Sequence, residues 1–389
     1  MNLDGIRVLD LTQLLPGPYG SQLLADAGAE VIKIEPPQGD PGRLFGSREG
    51  WAGHIFSPVN AGKKSVMLNL KTEEGKEIFY RLVEDADVVF EQFRPGVTER
   101  LEIDYETLVE YNDELVYCSL TGYGQDGPYA DRAGHDLNYI GIAGLLDMSR
   151  ADEDELPTQP GYPIADMTGG LVAAKSIVSA LLSRELGNSD GEYLDIAMTD
   201  AVLSYAQVEI AMADDGDSPR PGGTPIAGSV PWYSVYETAD GEYMTVAALE
   251  PRFWRVFCEA VDREDLRSLH LTTDTDELAY LRDELRELFA TATQEEWCER
   301  FAAVPDGTVE PVNTPTEALT DPQMTARNLF AETDVGHRRV RHPGTVGLST
   351  QTTSESEDLP ALGEHTDAVL NECGYDADEL DRLREQDVI

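Results

Sequence analysis

Three residues in this chain have the types and settings needed to move a proton on and off carbon. His135 stands in Gly134-His135-Asp136-Leu137-Asn138-Tyr139, Asp166 in Ile164-Ala165-Asp166-Met167-Thr168, and Glu250 in Ala248-Leu249-Glu250-Pro251-Arg252-Phe253. An imidazole and two carboxylates, each in or beside an apolar stretch, can withdraw a proton from one face of a carbon and return it to the other, which is the chemistry of racemisation. Each residue also has a plainer reading. A single histidine near a loop is often structural. Asp166 precedes a small-residue helix expected to begin at about Thr168, and aspartate is a preferred N-cap. Glu250 precedes Pro251 at a helix start, where an acidic residue can serve as a cap alone. A separate basic set, Lys33, Lys63, Lys64 and Arg94, could hold phosphates, with ordinary surface charge as the alternative.

The elements that must position these residues are legible from periodicity. Ile6–Leu11, Glu30–Glu35, Ser65–Leu70, Asp87–Glu91 and Leu115–Leu120 read as strands, with a helix over Gly17–Gly28 and another over Thr72–Ala86 capped by Thr72. Strands alternating with helices imply parallel βαβ units, so the fold class is α/β with a Rossmann-like parallel sheet. The first turn, Thr12-Gln13-Leu14-Leu15-Pro16-Gly17-Pro18, lacks GxGxxG, and no GxxxxGK[ST] occurs, so no dinucleotide or nucleoside triphosphate motif accompanies the sheet. A long helix is expected over Met167–Ser183 and a second over Thr199–Met212. The domain reading is a large domain over 1–212, a breaker-rich linker over 213–228, a smaller α+β domain over 229–320, and a return crossing over 321–389 that completes the large domain. The smaller domain should carry strands near Trp232–Thr238 and Tyr243–Leu249, and helices near Phe253–Val261, Leu278–Ala290 and Gln294–Ala303.

Composition narrows the function classes. The 74 acidic against 29 basic residues give a net charge of −45 over 389 residues, and the acid is scattered rather than gathered in a tail or a calcium loop. Such a surface suits high salt, where the Debye length falls to about 3 Å at 1 M, and it argues against nucleic acid as a partner. A halophilic source is the expectation. The four cysteines, Cys118, Cys258, Cys298 and Cys373, form no CxxC pair, so neither disulfides nor a metal site is expected. No leader pattern opens the chain and no apolar stretch approaches the ~18 residues of a membrane span, which predicts a cytoplasmic protein with no membrane partner.

The segments Leu11-Thr12-Gln13-Leu14, Gln22-Leu23-Leu24-Ala25-Asp26-Ala27-Gly28, Asn60-Ala61-Gly62-Lys63-Lys64, Arg94-Pro95-Gly96-Val97 and Leu120-Thr121-Gly122-Tyr123-Gly124 resemble those of the class III CoA-transferase superfamily, the CaiB/BaiF type. Within it, Gly134-His135-Asp136 and Leu249-Glu250-Pro251 match motifs of the branch that racemises 2-methylacyl-CoA thioesters. The resemblance implies that Asp166 and His135, the latter supported by Glu250, exchange the α-proton through an enolate stabilised by amides at the start of the Asp166 helix. In the transferases the same aspartate is instead a nucleophile that carries acyl and then CoA, and a transferase moving CoA between small dicarboxylic acids is the alternative. The resemblance further implies CoA bound against Lys33, Lys63 and Arg94, with Leu14 and Tyr139 completing that set. It implies no cofactor beyond the CoA of the substrate, and an interlocked homodimer sharing the site between protomers. Tyr162 stands where the racemases have an asparagine that hydrogen-bonds the aspartate, and Gly222–Gly228 does not match the long glycine loop of formyl-CoA-type transferases.

Overall fold

The structure, a computed structural model, describes residues 2–44, 54–150, 154–216, 219–335, 338–347 and 358–389. Residues 217–218 of the expected linker, and 336–337 and 348–357 of the expected return crossing, lie outside the described residues. The chain divides into two compact units, one of residues 1–146, 159–207 and 327–389, the other of 147–158 and 208–326. The smaller unit therefore takes in 147–158 and 208–212, expected in the large domain, together with the expected linker and 321–326 of the expected return crossing.

The larger unit is built on six parallel strands: β1 (Arg7–Asp10), β2 (Glu30–Glu35), β3 (Lys64–Met67), β4 (Val88–Glu91), β5 (Val116–Thr121) and β6 (Glu192–Ala197). Their order is β3-β2-β1-β4-β5-β6, the doubly wound arrangement in which the chain reverses its direction of winding between β1 and β4. Both faces are covered, and period-two alternation sends each residue to one side or the other. Leu9, Ile32, Ile34, Val89 and Tyr117 join one cluster with Phe79 and Leu82 of the helix Glu73–Glu84 and with Leu380 and Leu383 near the C-terminus. Val8, Val31, Val88, Phe90 and Cys118 face the other way, onto Leu24 of the helix Pro16–Asp26 and onto Ala173 and Ile177 of the helix Ile164–Glu185. The Thr72 hydroxyl caps its helix by accepting from the Gly75 amide at 3.0 Å, as expected.

The helix Ile164–Glu185 is the crossover from β5 to β6, and it departs from expectation in two ways. It begins at Ile164, so Asp166 lies in its first turn and is not its cap; Pro163 holds the N-cap position. At 22 residues with mean hydropathy 1.3 it is also long and apolar enough to cross a membrane, against the sequence reading. Here it is a core helix: a Cβ on Gly170 would come 2.3 Å from the Pro16 carbonyl and 3.1 Å from the Gly20 amide, so two glycines let the helices Pro16–Asp26 and Ile164–Glu185 touch backbone to backbone.

Strand β6 was missed by the sequence reading. Its edge position leaves Glu192, Tyr193 and Asp195 exposed, so no continuous apolar run marks it. The helix expected over Thr199–Met212 is two, Met198–Leu203 and Gln207–Asp214, with the Ser204 hydroxyl turned back onto the Ala201 carbonyl at the break.

The smaller unit has an antiparallel sheet of β7 (Tyr233–Glu237), β8 (Tyr243–Ala247) and β9 (Val309–Pro311), the last unanticipated, with helices Pro251–Ala260, Thr275–Phe289 and Gln294–Phe301. Its core is aromatic, with Trp254 stacked on Phe257 at 5.1 Å and Tyr236 on Phe289 at 5.2 Å. The return segment of the larger unit is an antiparallel ribbon, β10 (Phe330–Val335) with β11 (Arg338–Pro343), followed by the helices Thr366–Glu372 and Ala377–Glu385.

Candidate active site

His135 and Asp166 both belong to the β5–β6 crossover, at the carboxyl end of the sheet where doubly wound folds place their ligands. His135 is exposed and holds the N-cap position of the short helix Asp136–Ile142, where its amide donates to Asn138 Oδ1 at 3.0 Å. Its turn is braced from beneath by Tyr139. That hydroxyl donates to the Gly134 carbonyl at 2.6 Å, and a Cβ on Gly134 would sit 2.7 Å from the Tyr139 ring, so only glycine fits there. Tyr139 stands edge-on to Tyr123 at 5.1 Å, and burial first of all pushes its phenol up to about 12. A neutral hydroxyl committed to Gly134 makes Tyr139 a support for the histidine turn.

The next residue joins the two candidate groups. Asp136 Oδ1 accepts from the amides of Ala165 at 2.6 Å and Asp166 at 3.2 Å. The Asp166 helix thus takes its N-terminal cap from 30 residues back, out of the segment that carries His135, and the anion also suits the positive end of the helix dipole. Asp166 is mostly buried, and among the described residues its carboxylate accepts no hydrogen bond and meets no cation. Burial, and after it the negative charge of Asp136, pushes its carboxyl up to about 7. The side chain of Tyr162 is 70% exposed and makes no bond to Asp166. Because Asp136 occupies the amides of Ala165 and Asp166, and Met167 donates to Pro163, only the Ile164 N–H of that first turn is left without an acceptor among the described residues. The expected set of free enolate-binding amides is therefore reduced to one.

The phosphate-binding reading of Lys33 and Lys63 is corrected as well. Lys33 Nζ is wholly buried, donating to the Thr12 carbonyl at 2.8 Å and pairing with Asp40 at 2.9 Å. Lys63 Nζ, equally buried, donates to Asp10 at 3.1 Å, Ser21 Oγ at 2.7 Å, the Pro18 carbonyl at 3.0 Å and Asn60 Oδ1 at 3.0 Å. Burial pulls its ammonium down to about 8 against the opposing pull of Asp10. Lys64 pairs with Glu30. Lys33 and Lys63 hold the β1 loop: Asp10 accepts from the Thr12 amide at 2.9 Å, and Asp40 from the Leu14 amide at 3.1 Å, fixing Leu14 in the left-handed region at φ 63°. Arg94, by contrast, is exposed in the loop after β4. Between the loops lies a cavity of about 140 Å³ lined by Leu11, Gln13, Ile34, Leu68, Leu70 and Phe93, with the exposed Lys71 also in its wall. Lys71 and the cavity were not singled out from sequence, since neither a lone lysine nor alternating leucines distinguishes a ligand pocket from core.

Glu250 belongs to the smaller unit. It holds the N-cap position of the helix Pro251–Ala260 through its backbone carbonyl, but its exposed side chain makes no capping bond. The carboxylate is thus not consumed by the plainer role.

The sequence pattern of CoA-transferase family III matches residues 3–366. The chain belongs to that family. A CaiB/BaiF family protein from Brucella suis shares the fold with a TM-score of 0.79 at 30% identity, covering 95% of this chain and 99% of the other. Human α-methylacyl-CoA racemase is 33% identical over 100% of this chain and 98% of its own. The succinyl-CoA:mesaconate CoA-transferase of Haloarcula marismortui is 34% identical over 96% and 97%. This family III member is therefore an enzyme of the CoA-transferase/racemase group, and similarity to relatives with both activities does not divide them.

Proposed function

We propose that the protein is a racemase of 2-methylacyl-CoA thioesters that works by 1,1-proton transfer. The observation that carries this reading is the setting of Asp166: a largely buried carboxyl that among the described residues meets no cation and accepts no hydrogen bond, tied through Asp136 to the histidine turn, with burial pushing it up to about 7. A group poised so can both take and give a proton at physiological pH, whereas a carboxylate nucleophile is favoured by partners that keep it charged.

In the proposed reaction the thioester acidifies its own α-carbon. The Asp166 carboxylate takes the α-proton, the C–H pair passes into an enolate, and imidazolium His135 delivers a proton to the opposite face; the reverse direction exchanges the roles. The Ile164 amide is the donor at hand for the enolate oxygen, and one such donor contributes about 3–4 kcal/mol. The reaction as written calls for no metal and no cofactor beyond the CoA of the substrate. CoA would lie along the carboxyl edge of the sheet, its nucleotide in the cavity by Leu68 and Phe93 with Lys71 and Arg94 as solvent-facing cations, and Leu14 shaping the mouth.

The reading includes a homodimer in which Glu250 of the partner protomer supports His135. Exposed Leu137, Ile142, Leu171, Leu182 and Leu203 on the larger unit supply apolar surface for such an interface. It also includes a cytoplasmic setting at high salt, for which the net charge of −45 is suited. A second reading, CoA transfer between small dicarboxylic acids through an aspartyl-CoA on Asp166, draws on the Haloarcula relative.

Incubating the protein in concentrated salt with an optically pure 2-methylacyl-CoA, with and without succinate, separates the two. Loss of optical purity without succinate is expected. New acyl-CoA formed only when succinate is present, with configuration retained, would establish the transferase.

A further inference from the structure

The role of Asp136 goes beyond the residues that act on substrate, and the inference rests on the racemase reading for its consequence but not for its test. We propose that Asp136 is a positioning residue: its carboxylate, bonded to the Ala165 and Asp166 amides, fixes the Asp166 helix against the His135 turn and supplies the negative charge against which Asp166 ionises. Three observations meet here. Asp136 is the direct neighbour of His135 in sequence. Its Oδ1 bonds two successive amides of another helix, at 2.6 and 3.2 Å, one of them the amide of Asp166 itself. The helix start at Pro163 has no side-chain cap of its own, so no local residue duplicates the function.

The groups on elements packed against the Asp166 helix are few. His135 caps the short helix that carries Asp136 and Tyr139; Lys175, Arg184 and Glu185 lie on the Asp166 helix itself; Tyr19 and Asp26 on Pro16–Asp26; Tyr117 and Cys118 on β5; Glu192, Tyr193 and Asp195 on β6; Asp200 on Met198–Leu203 with Tyr205 just beyond it; and Arg94 acts on Tyr139 from the β4 loop. Of these, only Asp136 raises the proton affinity of Asp166, adding to burial. The arrangement couples position to protonation: one carboxylate both holds the two reacting groups in register and keeps Asp166 a proton carrier.

Asp136→Asn keeps an acceptor for the two amides and removes the charge, whereas Asp136→Ser removes the charge and shortens the reach to them, so a purely structural cap would leave protonation unmoved in the first. The titration of Asp166 is read in the full-length protein without substrate, from the carboxyl carbon-13 resonance assigned by its loss in Asp166→Asn. Both variants should lower the midpoint by about one pH unit, and the acid limb of α-proton exchange should shift with it while the melting temperature stays near wild type. A midpoint unchanged in both variants overturns the proposal, whatever the rates do. If the wild-type protein exchanges no α-proton at all, the racemase reading fails and the titration still decides the role of Asp136.

Discussion

Asp10 and Asp166 are two aspartates withdrawn from water at the same edge of one sheet, and they have opposite fates. At Asp10 the cost of burial is outweighed by Lys63 and Lys33 and by hydroxyl bonds from Ser21 at 2.6 Å and Thr12 at 2.5 Å, so its carboxyl is held well below the ordinary range. At Asp166 burial acts with a like charge and without a cation, and the carboxyl rises to about 7. Burial alone therefore fixes neither outcome; what decides is where the cations lie. In a chain with only six lysines, two are sealed beneath the β1 loop, and among the described residues the proposed catalytic carboxyl is left without one.

The comparison can be broken from either side. The largest effect is expected at the working carboxyl: Asp166→Asn should reduce α-proton exchange by about 10²–10⁴-fold, read from deuterium uptake in D₂O, and retention of near-wild-type exchange would remove Asp166 from the reaction. On the other side, Lys63→Met leaves Asp10 buried with one of its two cations gone. This should cost about 3–5 kcal/mol of stability, measured as a drop in the denaturation midpoint at fixed salt; a loss below 1 kcal/mol would mean the network is not what holds the loop.

A smaller effect is expected where backbone meets backbone. Gly170→Ala places a methyl against the Pro16 carbonyl and should destabilise by about 1–3 kcal/mol, while lowering exchange because the displaced helix carries Asp166. Unchanged thermal stability would show that the contact can relax.

The last effect is the most diagnostic, because the two aspartates should give pH dependences of opposite sign. The folded protein holds the Asp166 proton more tightly than the unfolded chain, so this group reduces stability as pH rises from about 4 to about 7, and Asp166→Asn should melt higher than wild type above pH 7 and equally below pH 4. Asp10 is depressed, so its contribution is present above pH 4 and lost as pH falls below it. Parallel melting curves of wild type and Asp166→Asn from pH 4 to pH 8 would contradict the raised carboxyl.

Much of the scaffold was readable from local pattern. Glu30–Glu35 was placed to the residue because β-branched residues run between turns, and Thr72 was recognised as a cap because its partner amide is three residues away. What escaped notice depends on distance. The start of the Asp166 helix is set by Asp136, 30 positions back, and β6 is a strand because β5 pairs with it, not because its own alternation is strong. The candidate His135, Asp166 and Glu250 were legible by type and motif. The fates of Lys33 and Lys63 were not, because a lysine in a strand or just before one looks the same in sequence whether its ammonium faces solvent or a buried aspartate.

The central claim, that Asp166 carries a proton and not an acyl group, is tested most directly by intact-protein mass spectrometry during turnover of 2-methylacyl-CoA in D₂O with hydroxylamine present. The account predicts deuterium at the α-carbon of the recovered thioester and an unmodified protein. An Asp166 hydroxamate, with no deuterium in the thioester, would contradict it and make the residue a nucleophile.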